Sequence, residues 1–293
     1  MNKKTLLLTG TTGFIGYNFL SYALSKNYYV IDIVRIKNKK NPKLKKLKKK
    51  YKKKYKSIYI LENTDLQKKV KKIKIDYYIN FATLYKNYHS YKDIFGFIDS
   101  NILFPTLVHD LISKKVKKII NFGTMMQHSL GEKLDSKNLY AATKNAFEMI
   151  SNFYSYNEKQ VKFYNLKFYE SFGENDNRKK LIPIILENYK KNRTTQIISK
   201  NLELNIIHVN DIINAVMIII HNDLESGSYF LRNNSNIKIK ELIKTLNKNL
   251  EKKIKVKYLK KPVNKIKKLN LRKLPKWKPT DNLVKKILLC FKK

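Results

Sequence analysis

The fold of this chain is written in Thr5-Leu6-Leu7-Leu8-Thr9-Gly10-Thr11-Thr12-Gly13-Phe14-Ile15-Gly16. A short apolar run stops at a glycine-rich turn, and an amphipathic helical pattern opens from that turn. Three of only eight glycines fall within these seven loop positions. One glycine of such a loop makes a tight turn, a second lets backbone approach a pyrophosphate, and a third lets the helix pack close to the strand. The helix N-terminus then offers N–H groups and its positive dipole end to phosphates. The stretch therefore predicts a dinucleotide site built on Gly10, Thr12, Gly13, Phe14, Ile15 and Gly16.

Working outward, apolar strand-like runs alternate with helical patterns. Strands are expected at 5–9, 29–34, 57–61, 77–82 and 118–122, with helices near 15–25, 44–55, 66–73 and 101–113. A helix near 140–156 leads into a strand at 163–168, and a mixed order follows. Alternation of this kind specifies an α/β fold, a Rossmann-type doubly wound parallel sheet. A smaller mixed α/β C-terminal substrate domain would cover its edge. Residues 1–165 are expected to form the NAD(P)-binding domain and residues 166–293 mainly the substrate domain, with segments near 202–221 returning to the first.

Composition excludes several classes. With 43% apolar residues the chain is too hydrophobic for intrinsic disorder. One cysteine, Cys290, rules out a disulfide framework and a multi-cysteine metal site, and no metal is expected. No run approaches the length of a membrane span, and Met1-Asn2-Lys3-Lys4 leads into no secretory cleavage pattern. A soluble cytoplasmic protein without membrane insertion is expected. The net charge of +41 suggests polyanions. Of 63 basic residues, however, only five are arginine, the residue suited to bidentate phosphate and guanine recognition. The lysine run 43–56 carries Leu44, Leu47, Tyr51 and Tyr55 at helical spacing, which reads as a helix with one buried stripe rather than a nucleic-acid arm. No specific nucleic-acid partner is expected.

Two further sites carry chemistry. The second strand ends at Val34-Arg35, where an acidic residue would bind the ribose hydroxyls of NAD. Arg35 would instead pair with a 2′-phosphate, so NADP(H) is favoured over NAD(H). Tyr140-Ala141-Ala142-Thr143-Lys144 sets Tyr140 and Lys144 on one helical face. A cation about 5 Å from a phenol at an effective dielectric of about 20 is worth ~3 kcal/mol, which moves Tyr140 toward acid–base work. Thr124, at the end of the fifth strand, would hold a carbonyl or hydroxyl beside Tyr140.

Together these motifs resemble the extended short-chain dehydrogenase/reductases that act on nucleotide sugars, of the NAD-dependent epimerase/dehydratase type. Thr9 to Gly16 is similar to that family's glycine loop, and Phe81-Ala82-Thr83 to its segment beside the cofactor. Asn101 sits where the family keeps a helix asparagine. Tyr140, Lys144 and Thr124 match its YxxxK and its Ser/Thr, and Lys144 would also bind the nicotinamide ribose. Arg178 lies in the region similar to YGPxxxR, His208-Val209-Asn210-Asp211 resembles a late HVxD element, and Trp277-Lys278-Pro279 a WxP tail.

Met125 and Met126 stand where dehydratases carry an acidic pair, which argues against elimination chemistry. Phe81-Ala82-Thr83-Leu84-Tyr85 and Thr124-Met125-Met126-Gln127-His128 resemble the CDP-abequose and CDP-paratose synthase branch. That branch implies NADPH-dependent reduction of the 4-keto group of a nucleotide-linked deoxyhexose, CDP-linked by preference, for surface polysaccharide such as lipopolysaccharide O-antigen. Substrate contacts are then expected from Tyr85, Gln127, His128, Glu170 and Arg178, with Arg178 clamping the diphosphate. Lys167, Glu170, Phe172 and Glu174 depart from the family pattern. His208 reads as structural and Trp277 as packing for the tail. The competing readings are an NAD-dependent nucleotide-sugar 4-epimerase and a non-catalytic basic nucleic-acid-binding Rossmann protein. A homodimer is the assembly the resemblance implies.

Overall fold

The computed structural model describes residues 4–61, 65–70, 73–129, 135–263, 266, 269–280 and 282–291. Met1-Asn2-Lys3, and Lys71 and Lys72 of the expected third helix, lie outside the described residues. In chain order the elements begin β1 (Thr5–Thr9), α1 (Phe14–Ser25), β2 (Tyr29–Arg35), α2 (Pro42–Lys50), β3 (Tyr55–Ile60), α3 (Asp65–Val70) and β4 (Tyr77–Asn80). Then come α4 (Ile94–Ile98), α5 (Phe104–Ile112), β5 (Lys118–Phe122), α6 (Leu139–Asn157), β6 (Lys162–Lys167), β7 (Glu170–Phe172), α7 (Leu181–Lys190) and β8 (Thr195–Ile197). The rest is β9 (Glu203–Leu204), β10 (Ile206–His208), α8 (Val209–His221), β11 (Gly227–Phe230), β12 (Ile237–Lys238), α9 (Ile239–Asn247), β13 (Val256–Tyr258) and α10 (Leu283–Phe291).

The chain divides into two units. The first holds Met1–Lys167, Val216–Phe230 and Leu271–Pro275; the second holds Phe168–Ala215, Leu231–Asn270 and Lys276–Lys293. The first unit is a seven-stranded parallel sheet in the order β11-β6-β5-β4-β1-β2-β3. Its order reverses between β1 and β4, the crevice where open α/β sheets bind ligands. Leu6, Leu7 and Leu8 are all buried because helices cover both faces, so β1 reads as a continuous apolar run.

Two expectations change. Residues 202–215 stay in the second unit, where β9 pairs with β12 and β10 with β7; the chain returns to the first unit through 216–230. The lysine-run helix is shorter than its spacing suggests. Asn41 caps it by accepting the Leu44 N–H, and Pro42 takes its first position. Leu44 and Leu47 are buried as expected, but Tyr55 already belongs to β3, paired with Val30. Parallel pairing to β2 and a buried hydrogen bond from its hydroxyl to Asp32 (2.7 Å) outweigh the local helical pattern at Tyr55.

The core of the first unit holds Leu7, Ile33, Tyr78, Val108, Ile119 and Phe163. His109 on α5 is wholly buried, ringed by Tyr78, Phe147 and Phe163, and meets the Asn121 side chain at 3.3 Å. Burial pushes its imidazole down to about 4 from 6.5, although the Asn121 contact opposes the shift. The folded state thus binds this proton more weakly than the unfolded chain. The stability it contributes is complete above about pH 6.5 and is lost as pH falls through about 4, a change of about 3 kcal/mol. His109→Gln should flatten that acid limb relative to the parent chain in urea titrations at successive pH values. An unchanged limb would remove His109 from the account.

The second unit has its own core of Phe172, Ile182, Leu204, Ile239, Leu242 and Ile287, with Cys290 buried among them. Its tail is tied down at Asp211: Trp277 Nε1 donates to the Asp211 carbonyl at 2.8 Å, while the Asp211 carboxylate accepts from Thr280 and from Lys286. No helix among the described residues is long and apolar enough to cross a membrane.

Candidate active site

The glycine loop runs from β1 into α1. Gly10 has φ +72, and a Cβ there would lie 2.4 Å from the backbone of Phe81 and Ala82. A Cβ on Gly16 would lie 2.3 Å from the Gly10 carbonyl oxygen. Glycine is thus required where the loop passes β4 and where α1 packs on the loop. Helix α1 has no side-chain cap and no acidic residue in its first turn, so its dipole end stays suited to an anion. This cradle fits a dinucleotide. A cleft of about 210 Å³ continues from it, lined by Gly10, Thr12, Arg35, Ala82, Thr83 and Ser100 among others.

At the end of β2 the two charged side chains have different tasks. Asp32 is wholly buried and accepts from the Thr11 hydroxyl (2.8 Å) and the Tyr55 hydroxyl (2.7 Å), which stiffens the loop from behind. Burial raises its carboxyl above the ordinary range against the effect of those hydrogen bonds. Arg35 lines the cleft, paired with Asp99 at 2.5 Å and bonded to the Ser100 hydroxyl at 3.2 Å.

Asp99 opens a π-helical turn, Asp99–Leu103, between α4 and α5. The turn carries Asn101, buried at the hub of four hydrogen bonds. Its Oδ1 accepts the Leu84 N–H (2.7 Å) and the Thr83 hydroxyl (3.1 Å); its Nδ2 donates to the Leu84 carbonyl and to Thr143 Oγ1, both at 3.0 Å. Asn101 therefore ties the segment after β4 to α6 one residue before Lys144. π-turns of this kind frequently mark functional sites.

Helix α6 starts where Asn138 accepts the Ala141 N–H (3.0 Å), which puts Tyr140 in the first turn and Lys144 one turn later. Both are buried, and the Tyr140 ring packs edge-on against Tyr85 with centroids 4.9 Å apart. Burial pulls the Lys144 amine down to about 8, opposed by the charge of Glu148 one turn farther along α6. Thr124 follows β5 and caps a short 3-10 turn, its hydroxyl accepting the Met126 N–H at 3.2 Å while its own N–H donates to Gln127 Oε1 at 2.8 Å.

The expected substrate residues fall out differently. Gln127 is 0% exposed and held by Thr124, Asn145 and Glu148, so it supports the turn rather than lining a pocket. His128 is buried as well, its Nε2 accepting from Lys167 Nζ at 3.1 Å and its ring against Phe230. Tyr85 stays beside Tyr140. In the second unit Glu170 pairs with Lys180 at 3.0 Å, and the Arg178 fork closes on Asp176 (2.8 and 2.7 Å) and on the Ser171 carbonyl. A guanidinium engaged in this way has much of its fork already spent on its own loop. His208 meets Glu174 at 3.2 Å, holding that loop to β10. The second unit also has a cleft of about 840 Å³ whose lining includes Lys200, Lys238, Lys260, Lys261, Glu203 and Tyr258. Sequence reasoning missed Glu148 and Asp99. The spacing Tyr140-Lys144-Glu148 carried a signal for the first, whereas nothing local marks the second.

A parallel sheet with its order reversed beside a TGxxGFIG loop, and Tyr and Lys one turn apart after β5, is matched over residues 6–231 by the family model for the NAD dependent epimerase/dehydratase family. The chain belongs to that family. It is therefore an NAD(P)-dependent enzyme by descent, with an extended short-chain dehydrogenase/reductase fold. Among curated relatives, the CDP-abequose synthase of Yersinia pseudotuberculosis is 29% identical over 156 residues. That match covers 53% of each chain. The CDP-abequose synthase of Salmonella muenchen is 24% identical over 268 residues, covering 88% of this chain and 84% of the relative. A UDP-glucuronic acid 4-epimerase from Bacillus cereus, solved with a fluorinated UDP-glucuronic acid and NAD, superposes with a TM-score of 0.82 at 18% identity, covering 98% of each chain. That likeness establishes the fold of this family member and no more.

Proposed function

We propose that the protein is a cytoplasmic NADPH-dependent 4-ketoreductase of a nucleotide-linked deoxyhexose, CDP-linked by preference. The observation that carries the reading is the end of β2: the cleft presents the Arg35 cation, paired with Asp99, while the carboxylate of the strand itself, Asp32, is turned inward onto Thr11 and Tyr55. A cation there suits a 2′-phosphate. NADP suits net reduction, because a reductase exchanges its cofactor each turnover whereas an epimerase retains it. The similarity to CDP-abequose synthases supports the same assignment.

Gly10, Thr12, Gly13, Phe14, Ile15 and Gly16 would hold the cofactor phosphates, with Arg35 at the adenosine ribose and Phe81, Ala82 and Thr83 along its path. When bound there, the cofactor would supply hydride chemistry for reduction of a carbonyl. Thr124 hydrogen-bonds the carbonyl oxygen and orients it. Tyr140 gives that oxygen its proton, leaving a phenolate that the Lys144 ammonium stabilises. The half-buried Tyr85 ring, edge-on to Tyr140, would shield that hydroxyl from water. Phe95, Met149 and Phe153 stand exposed on α4 and α6, apolar surface suited to a second copy.

The assay follows the ultraviolet absorbance of NADPH with a panel of nucleotide-linked 4-ketohexoses. Stoichiometric oxidation is expected, and its absence across the panel sinks the reductase. The second reading, a 4-epimerase with retained NAD, is favoured by the Arg35–Asp99 pair, which leaves less charge for a phosphate. Arg35→Ala decides the cofactor: preference for NADPH over NADH should fall about 10- to 100-fold, the worth of one charge-assisted hydrogen bond. An unchanged ratio removes Arg35 from cofactor selection.

A further inference from the structure

Glu148 is a buried carboxylate on α6 that the chemistry above does not use. Its surroundings are built with care. Oε2 accepts from Lys167 Nζ and from Gln127 Nε2, both at 2.7 Å, and Oε1 accepts from the Ser228 hydroxyl at 2.5 Å. Lys167, 2% exposed, donates in turn to His128 and lies over the Phe230 ring. Gln127 passes the contact on, since its Oε1 takes the Thr124 N–H. We propose that Glu148 is a positioning residue that ties Thr124, Lys144 and Tyr140 into one unit; the inference rests on the functional reading above for the roles of those three.

Two links lead from the one carboxylate. Along α6, Glu148 lies one turn past Lys144 and two turns past Tyr140, so its negative charge acts on the buried ammonium that must stay charged beside the phenol. Across the sheet, the Glu148–Gln127–Thr124 chain fixes the turn after β5, and with it the direction of the Thr124 hydroxyl. The groups facing Glu148 are Lys144 on its own helix, Lys167 and Asn165 from β6, Ser228 from β11, and Gln127 from the turn after β5. Burial pushes Glu148 up, but Lys167 and the hydrogen bonds around it outweigh burial and hold the carboxyl below its ordinary value, ionised throughout the working range. Removing its charge leaves two lysines, Lys144 and Lys167, buried without an anion between them.

The test is the pH dependence of kcat in Glu148→Gln, Glu148→Asp and Gln127→Met, in whichever reaction the wild type runs, reduction or epimerisation. Glu148→Gln should lower kcat about 10-fold. It should also move the alkaline limb of the profile downward by about one pH unit, because Lys144 then loses its proton at lower pH. Cofactor KM should stay put, and Glu148→Asp should recover part of both effects. Gln127→Met removes the Gln127 bonds to Thr124, Asn145 and Glu148 but keeps the Glu148 charge beside Lys144, so kcat should fall with the alkaline limb unmoved. Wild-type kcat and profile in Glu148→Gln overturn the proposal while leaving the functional reading intact. If Glu148→Gln does not fold, wild-type kcat in Gln127→Met overturns it. A wild type that runs neither reaction overturns the reading and this inference together.

Discussion

Tyr140→Phe should lower turnover by about 10²- to 10⁴-fold while leaving cofactor affinity unchanged. The substitution removes one oxygen and keeps the ring, so the edge-on packing against Tyr85 at 4.9 Å survives. What disappears is the Tyr140 hydroxyl, the proposed proton donor, in the first turn of α6 with the Lys144 amine one turn behind it. A loss of about 10³ corresponds to ~4 kcal/mol of transition-state stabilisation, within the reach of one positioned acid. Single-turnover rates and fluorescence titration with NADPH measure the two quantities separately. Wild-type turnover in the variant removes Tyr140 from the chemistry, and loss of cofactor binding assigns it to the cofactor site instead.

Gly10→Ala should abolish cofactor binding and destabilise the first unit by about 2–5 kcal/mol, the sum of left-handed backbone strain and overpacking. At φ +72 an alanine is strained wherever its methyl points, and here the methyl would sit 2.4 Å from Phe81 and Ala82 backbone atoms. Those atoms follow β4, which pairs with β1 in register, so neither strand can yield without breaking the ladder at the point where the sheet reverses. Gly13 supplies the contrast. Its backbone is extended at φ −79, and a Cβ there would meet only the Gly10 carbonyl, at 3.3 Å. Gly13→Ala should therefore cost far less stability. Urea midpoints for the two variants, read beside NADPH affinity, check the ordering; equal stability would show that the close approach at Gly10 is relieved by a shift elsewhere.

The parallel sheet was legible because its signals are local and redundant. Buried strands such as Leu6-Leu7-Leu8 are apolar on both faces, and the glycines at 10 and 16 stand where no side chain fits. Asn138 and Asn41 cap helices by rules that act over three residues. Where a competing contact came from elsewhere in the chain, local pattern failed. Tyr55 continued a helical stripe but was drawn into β3 by its pairing to β2 and its bond to Asp32. Strands β9 and β10, adjacent in sequence, pair with different partners, β12 and β7.

The same division runs through the candidate site. Sequence alone determined that this chain folds a glycine loop between a strand and a helix, and that Tyr140 and Lys144 lie one helical turn apart after the strand that Thr124 follows, because spacing along a strand or helix fixes which face a residue shares. Only the tertiary structure decided which polar side chains look outward and which are spent inside. Gln127 and His128 were expected at the sugar and are instead buried supports; Arg178 was expected at a diphosphate and closes on Asp176; Arg35 carries Asp99 as a partner 64 residues away. The physical reason is one of range. Backbone geometry and burial periodicity act over a few residues, whereas a charged side chain takes the partner that folding places within about 3 Å, which lies two residues away for Arg178 and 64 for Arg35.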